Sequence, residues 1–142
     1  MATITYATDS TTLALNGYVF TGFIAGDYVE LAPLNDANAP VDSADGVSIT
    51  KRADGDVHTL TVRVQKGSQD DVFLNSALAG AAPTVFAGSL KENYTIDGVD
   101  AVDTWTLEGG AITTRPTETK NNQDGNTVHE YMIRFRFATR AV

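Results

Sequence analysis

The sequence predicts a mainly β protein with a single α-helix, and three patterns lead to this fold class. Near the end of the chain, Tyr131, Ile133, Phe135 and Phe137 alternate with Glu130, Met132, Arg134 and Arg136, which is typical of a strand. Asn-Gly and Asp-Gly pairs stand between short apolar runs, where they favour two-residue hairpin turns because such turns need positive φ angles. Only residues 69–79 place apolar side chains at helical spacing. We therefore expect about seven to nine strands and one helix.

Length and charge narrow the function classes. The 142 residues predict one domain, 1–142, large enough to bury a core, and the absence of cysteine excludes disulfides and thiolate metal sites. The net charge of −8 argues against a protein that grips nucleic-acid phosphates. We expect no signal peptide, since residues 1–10 lack a basic and an apolar region, and no membrane contact, since no apolar run approaches roughly 20 residues.

The first third of the chain predicts short strands and one long loop. Residues 1–12 are polar and threonine-rich, which favours an extended N-terminal arm or a frayed end. A hairpin is expected around Asn16-Gly17, and a strand over 28–31 that Pro33 ends. Residues 34–46 show no period, and an aperiodic stretch of this length is usually a functional or disordered loop. This loop is expected to project from one end of the sheet.

A central hairpin is predicted over residues 47–65. With the turn at Asp54-Gly55, Ile49 faces Leu60 and Val47 faces Val62, so the four apolar side chains share one side. A slip of one residue would mix the two sides, so the pattern determines the register. The other side of this hairpin is hydroxylated and polar, with Ser48, Thr50, Arg52, Thr59, Thr61 and Arg63.

The second half predicts the helix and further strands. Ser68 is a good N-cap, and Asp70 and Asp71 suit the positive end of the helix dipole. Asp97-Gly98 predicts a turn between strands, and Gly109-Gly110 predicts a break or bulge in the strand that follows. The last strand is expected to be unusually long.

The sequence offers no catalytic pattern, and we expect neither an enzyme, a cofactor nor a metal site. His58 and His129 are interpreted as surface or edge residues, because each lacks a partner for general-base or metal chemistry. Asp97, Asp100 and Asp103 could hold calcium, as could Asp36, Asp42 and Asp45 in the long loop, but neither group has the spacing of a dedicated calcium loop. The scattered tyrosines and Trp105 leave a carbohydrate- or cell-surface-binding module as an alternative.

The order of these signals resembles the tail tube proteins of contractile-tailed bacteriophages, which are related in plan to type VI secretion tube proteins. The resemblance lies in LALNG at 13–17, TGF at 21–23, GDYVEL at 26–31, DGV at 45–47, TLTVRVQ at 59–65 and SQDDVFL at 68–74. It covers roughly the first 80 residues. Beyond them only Trp105 and Arg115-Pro116 match, and residues 108–127 depart from the family pattern.

The resemblance implies a small β-sandwich or half-barrel with a flanking helix, whose sheets join between subunits into a tube. Six copies would form a ring, and stacked rings would conduct the viral DNA without binding it specifically. The implied partners are further copies of the chain and the tail sheath, baseplate and tail terminator proteins. The implied location is the virion tail, assembled in the host cytoplasm.

The polar side of the central hairpin suits a lumen wall past which DNA slides. Each basic side chain that contacts a phosphate adds affinity and slows the DNA, so a wall of hydroxyl groups binds it weakly. Arg52 and Arg63 are expected to pair with acids of the same or a neighbouring subunit. The residues assigned to the lumen are Ser48, Thr50, Arg52, Thr59, Thr61 and Arg63. Contacts between rings or subunits are assigned to the N-terminal arm and to the loop residues Leu34, Asn35, Asp36, Asp42 and Asp45.

Other virion parts remain alternatives to the tube subunit. A tail terminator, a baseplate hub or a capsid decoration protein would share the β-rich class and the absence of catalytic motifs.

Overall fold

The computed structural model describes residues 2–21, 28–34, 38–42, 46, 48–52, 57–118 and 128–141, and describes only the backbone of residues 6–10, 38–42 and 48–52. Nine strands and one helix lie in these ranges. They are β1 (Ile4–Leu15), β2 (Tyr18–Val19), β3 (Val29–Pro33), β4 (Asn38–Asp42), β5 (Ser48–Arg52), β6 (His58–Gln65), α1 (Gln69–Leu78), β7 (Phe86–Ile96), β8 (Val99–Thr114) and β9 (Val128–Ala141). The expectation of a mainly β fold with one flanking helix is confirmed.

Seven of these strands form one antiparallel sheet in the order β2-β1-β7-β8-β9-β6-β3, and β4 and β5 form a separate two-stranded sheet. The large sheet is curled. Thr11 of β1 and Val29 of β3 stand five strands apart in the order, yet both line one cavity together with Leu90 and Trp105. This curvature brings the two ends of the sheet towards each other and matches the expected half-barrel.

The turns that the sequence predicts locally are present. Asn16 and Gly17 have φ angles of 51° and 81° and join β1 to β2, while Asp97 and Gly98 have 51° and 82° and join β7 to β8. Positive φ at both positions is the condition of the type I′ turn. The helix α1 begins after Ser68, whose hydroxyl accepts a hydrogen bond from the Asp71 N–H, as expected of an N-cap.

The core lies between one face of the large sheet and α1. Leu60, Val62 and Ile133 of the central strands are fully buried, as is Leu74 of the helix. Beside Leu74, the Phe73 ring stacks on Tyr18 with ring centroids 4.4 Å apart and meets Phe20 and Phe86 edge-on. Helix α1 therefore covers a single face of the sheet.

Within the described part of the chain, no helix is long and apolar enough to cross a membrane.

The predicted central hairpin over 47–65 is wrong. Strand β6 pairs with β3 along one edge and with β9 along the other, so neither edge is left for β5. Strand β5 pairs instead with β4, with Ile49 opposite Val41. An Asp-Gly pair favours a turn only locally. The partners of β6 are decided by the core instead, because its apolar side packs there between β3 and β9, two strands that are distant in sequence.

One further expectation about an irregular segment is wrong. The segment 34–46 is not a loop throughout, because residues 38–42 form β4. Of the two states expected for the N-terminal arm, the extended one is present, because Ile4–Tyr6 and Thr11–Leu15 pair with β7 as β1. Both segments carry few apolar residues, and their pairing to other strands supplies the backbone hydrogen bonds that make them regular.

The later strands match their predicted features with one exception. Strand β9 is long, with 14 residues, and β8 bulges at Gly109, whose φ is 67°. At this bulge two residues of β8, Glu108 and Gly109, stand opposite one residue of β7, Ala87. The reason is that Phe86 pairs with Gly110 and Gly88 pairs with Leu107. The apolar alternation of β9 ends early, because Phe137 is exposed and Ala138 is buried.

Replacing Gly88 with alanine should destabilise the sheet. A Cβ atom at this position would lie 1.9 Å from the Ala14 carbonyl oxygen, and a backbone atom inside a paired strand cannot rotate away. We expect G88A to lower the free energy of unfolding by about 2–3 kcal/mol, as overpacking does. The measurement is urea unfolding, with G80A as control, because the nearest atom to a Cβ there is 3.5 Å away. Equal stability of the two variants would contradict the close approach of β1 and β7.

Candidate assembly surface

Strand β6 separates the two faces of the sheet. Leu60, Val62 and Val64 point into the core and are fully buried. Thr59, Thr61 and Arg63 alternate with them and therefore lie on the opposite face. This separation confirms the alternation predicted for residues 59–64, although not the hairpin in which it was placed.

We call the side of the sheet away from α1 the polar face. Residues directly opposite each other on antiparallel strands lie on the same side. The polar face therefore continues from Thr61 to Glu30 on β3, and from Arg63 to Glu130 on β9. Its members on the three strands are Glu30, Thr59, Thr61, Arg63, Glu130, Met132 and Arg134.

Arg63 is neutralised within the polar face. Its Nε atom donates to Oε2 of Glu130 over 3.0 Å, and its Nη2 atom lies 3.7 Å from Oε2 of Glu30. The expectation that Arg63 pairs with an acid is thereby confirmed, and both acids belong to its own chain. A guanidinium between two carboxylates is poorly available to a passing phosphate, so this part of the face is polar without being a basic patch.

The other residues assigned to a lumen wall are distributed differently. Thr59 is half-buried and Thr61 is only 7% exposed, so the hydroxyl surface of β6 is smaller than its sequence indicates. Ser48, Thr50 and Arg52 lie on β5 opposite Asp42, Pro40 and Asn38 of β4, not beside β6. The structure therefore separates the six assigned residues into two sheets.

The residues assigned to contacts between subunits also separate. Leu34 follows β3, is exposed, and its N–H donates to the Val57 carbonyl over 3.0 Å, which extends the pairing of β3 with β6. Asp42 is the last residue of β4 and stands opposite Ser48. Asn35, Asp36 and Asp45 lie outside the described residues.

A buried polar cluster that the sequence reading missed lies at the start of α1. The Asp71 carboxylate accepts hydrogen bonds from the Gly67 N–H over 3.0 Å and from the Tyr131 hydroxyl over 2.7 Å, and its Oδ1 lies 2.9 Å from His129 Nδ1. Burial alone would raise the pKa of Asp71, but these hydrogen bonds and the His129 ring lower it below its usual value. The pKa of the Tyr131 hydroxyl is raised, by burial first and by Asp71 second.

The interpretation of both histidines as surface or edge residues is wrong. His129 is buried, and its Nε2 lies 2.9 Å from Oε2 of Glu118, which also pairs with Lys66. Since carboxylates face both ring nitrogens, the imidazole can donate to both only in its protonated form. His58 is also buried, with its ring centroid 5.2 Å from that of Trp105.

The neighbouring carboxylate, Asp70, ties β2 to the helix. It accepts hydrogen bonds from the Tyr18 hydroxyl over 2.6 Å and from the Thr21 N–H over 3.0 Å. Burial and this hydrogen bond to Asp70 raise the pKa of Tyr18 to about 12. Among the described residues, no buried side-chain nitrogen or oxygen lacks a hydrogen-bond partner. The cluster thus fastens α1 to β2 and β9.

The residues behind the calcium and carbohydrate alternatives lie at the far end of the sheet. Asp97 accepts from the Thr3 N–H over 2.8 Å, and Asp103 forms a forked ion pair with Arg140. In the described ranges, no three His, Cys, Asp or Glu side chains gather where they could hold a metal ion. Trp105 is half-buried and lines a cavity of about 290 Å³ with Glu92 and Asp103.

Comparison with solved structures identifies chains of the same fold in contractile injection systems. The chain is similar to one in the cryo-EM structure of the PVC sheath/tube terminator of an extracellular contractile injection system, with a TM-score of 0.61, 12% identity and 96% of both chains covered. It is similar to one in the PVC sheath-tube complex, with a TM-score of 0.61, 10% identity, and 96% of this chain and 91% of that chain covered. The tube-terminating cap of the anti-feeding prophage gives a TM-score of 0.61, 12% identity and the same coverage.

Comparison with protein families and with curated proteins found no match. The likeness to the solved structures extends over nearly the whole chain, including the part beyond residue 80 where the sequence resemblance is weak. The chain therefore shares the fold of these contractile injection system chains.

Removing the Asp71 charge should destabilise the protein in a pH-dependent way. Because the folded state lowers the pKa of this carboxyl, its stabilisation is present above the unfolded value near 4 and is lost as the pH falls through the folded value. We expect D71N to lower the free energy of unfolding by about 2–3 kcal/mol at pH 7, by weakening buried charged hydrogen bonds. The measurement is urea unfolding from pH 7 to pH 2.

The difference between wild type and D71N should narrow below about pH 4. D100N is the matched control, because Asp100 is exposed at the far end of the sheet. A D71N difference that is constant down to pH 2, or absent at pH 7, would contradict the role assigned to the Asp71 carboxylate.

Proposed function

We propose that the chain is a structural, non-enzymatic protein of a contractile tail, and that it forms the ring that terminates the tail tube. The observation that carries the proposal is the fold match over 96% of both chains to a chain in a sheath/tube terminator structure. A second similar chain comes from a tube-terminating cap. Among the interpretations left open by the sequence, these likenesses favour the tail terminator over the tube subunit.

The two faces of the sheet support a ring with an open centre. One face is covered by α1 and the aromatic cluster, and the polar face is left to face solvent or a bore. On it the charge of Arg63 is balanced by Glu130 and Glu30. The Arg63 part of this wall would let a polyanion pass with little adhesion, because its guanidinium is already held by two carboxylates.

The edges of the sheet support association of copies side by side. Strand β3 is the last strand at one end of the sheet order, and at the other end β2 covers only Ala14 and Leu15 of β1. Within the described residues, the rest of the outer edge of β1 has no strand beside it. Such edges present unpaired N–H and C=O groups and favour pairing with another chain. Joining β3 of one copy to β1 of the next would close a ring and remove both edges.

In this proposal the protein acts by shape and charge. Copies joined edge to edge form a ring with α1 at its rim, and the polar face, with Thr59, Thr61 and Arg63, lines the bore. The ring would sit on the end of the tube within the sheath, and DNA would pass through it without specific binding. Ser48, Thr50 and Arg52 join this wall only where β4 and β5 fold against a neighbouring copy.

The tube subunit itself is the second candidate. It is favoured by the likeness to a chain in the PVC sheath-tube complex at the same TM-score, and by the sequence resemblance to tail tube proteins. A terminator and a tube subunit differ in one observable property. A tube subunit stacks head to tail without limit, whereas a terminator ring binds on one side only.

Electron microscopy of the purified protein at high concentration tests the proposal. We expect separate rings of one layer, with a mass that is an integral multiple of 15.1 kDa by mass photometry. Long tubes would instead show that the chain is the tube subunit and not the terminator. A protein that stays monomeric up to millimolar concentration would contradict both candidates.

A further inference from the structure

The turn between β7 and β8 carries an exposed apolar tip. Ile96 pairs with Ile4 of β1 on one side and with Val99 of β8 on the other, so the three form one row across three strands. They are 37%, 53% and 69% exposed. We call these three residues, with Asp97 and Asp100, the hairpin tip. A row of large apolar side chains at the end of a long hairpin is typical of a contact surface.

The charge of the hairpin tip is negative. Asp97 and Asp100 are both exposed. Arg140, farther from the turn, is engaged by Asp103, with the guanidinium 2.9 to 3.2 Å from both carboxylate oxygens. Lys91 is the described cation on β7 and β8, and it lies four residues before Thr95, the partner of Asp100, which is about 13 Å along an extended strand. The described side chains thus leave the two tip carboxylates uncompensated.

A complementary groove lies on the polar face at the opposite end of β8. It has a volume of about 470 Å³, and its lining is apolar with two cations. The residues that matter here are Leu34, Val57, Ala111, Thr113, Arg134 and Arg136. Among the described residues, Arg134 and Arg136 form no ion pair, and no acidic side chain lines the groove.

The groove and the tip are therefore both partly apolar and opposite in charge, and they cannot meet within one chain. Val99 and Ala111 lie on the same strand, β8. Twelve residues of extended strand separate them by about 40 Å. We propose that the hairpin tip of one copy docks into the groove of a second copy, with Ile96 and Val99 against Leu34 and Val57. Asp100 projects from the opposite side of the hairpin to Val99, so the tip enters the groove end-on, with the carboxylates of Asp97 and Asp100 towards Arg134 and Arg136.

This contact is heterologous, since it joins two different surfaces of the same chain. Repeated contacts of this kind generate a ring if the rotation closes and a filament if it does not. The inference rests on the proposed function only in that a ring supplies the neighbouring copy. Burial of the tip excludes water around the charge pairs, so the contact is specific for this partner and weakens with salt.

Cysteine cross-linking tests the contact directly, because the chain contains no cysteine. V99C marks the tip and T113C marks the groove, and both side chains are exposed. We expect a disulfide-linked dimer when the two purified variants are mixed and oxidised, and none from either variant alone. N75C, on the exposed side of α1, replaces T113C in the control mixture and should give no dimer.

Charge reversal in the same two cysteine variants provides a second measurement. We expect D100R in the V99C chain to lower the dimer yield at least about fivefold, and R134D in the T113C chain to do the same. Combining both reversals should restore the yield, because the pair is then inverted. Loss of yield without restoration would overturn the assignment of Asp100 to Arg134.

Four outcomes overturn the inference. Dimers of V99C alone would show a tip-to-tip contact, and equal dimer yields with N75C and T113C would show random collision. Rings in the microscope without the mixed dimer would overturn this contact and leave the proposed function intact. Protection of T113C from thiol labelling by another tail protein, and not by excess wild-type chain, would make that protein the occupant. A mixed dimer from a protein that forms no ring would support the contact and contradict the terminator.

Discussion

The packing of α1 against one face of the curled sheet is the constraint on which the other features depend. Phe73 and Leu74 complete the core, and the buried carboxylates of Asp70 and Asp71 hold the start of the helix to β2 and β9. Because this face is occupied, the polar face must meet solvent or a partner, and association must use it, the strand edges and the hairpin ends. Contacts between copies are therefore expected on these surfaces and not on the face that α1 covers.

Local signals predicted the parts of the fold that local chemistry determines. The turns at Asn16-Gly17 and Asp97-Gly98 and the cap at Ser68 are present because positive φ angles and an N-terminal hydroxyl are decided within a few residues. Strand partners are decided by the whole core. The Asp54-Gly55 pair indicated a hairpin of β5 with β6, but β6 is a central strand whose neighbours β3 and β9 come from distant segments.

The candidate surface was predictable to a similar extent. Alternation placed Thr59, Thr61 and Arg63 on one side, and the need to neutralise Arg63 was recognised, although its partner Glu130 lies 67 residues away. The histidines were misread although a signal existed. His129 falls in the series with Tyr131 and Ile133, and His58 in the series with Leu60 and Val62, so strand alternation places both on the core face. Their partners, Asp71 and Trp105, come from other elements, which a strand pattern cannot reveal.

The central claim is that the polar face of β6 lines the bore of a ring while α1 lies at its rim. A cryo-EM reconstruction of the assembled ring, at a resolution that separates strands from the helix, is its most direct test. We expect Arg63 and Glu130 on the wall nearest the symmetry axis and Asn75 of α1 at the outer surface. A map in which α1 surrounds the axis, or in which the polar face is buried between layers, would contradict it.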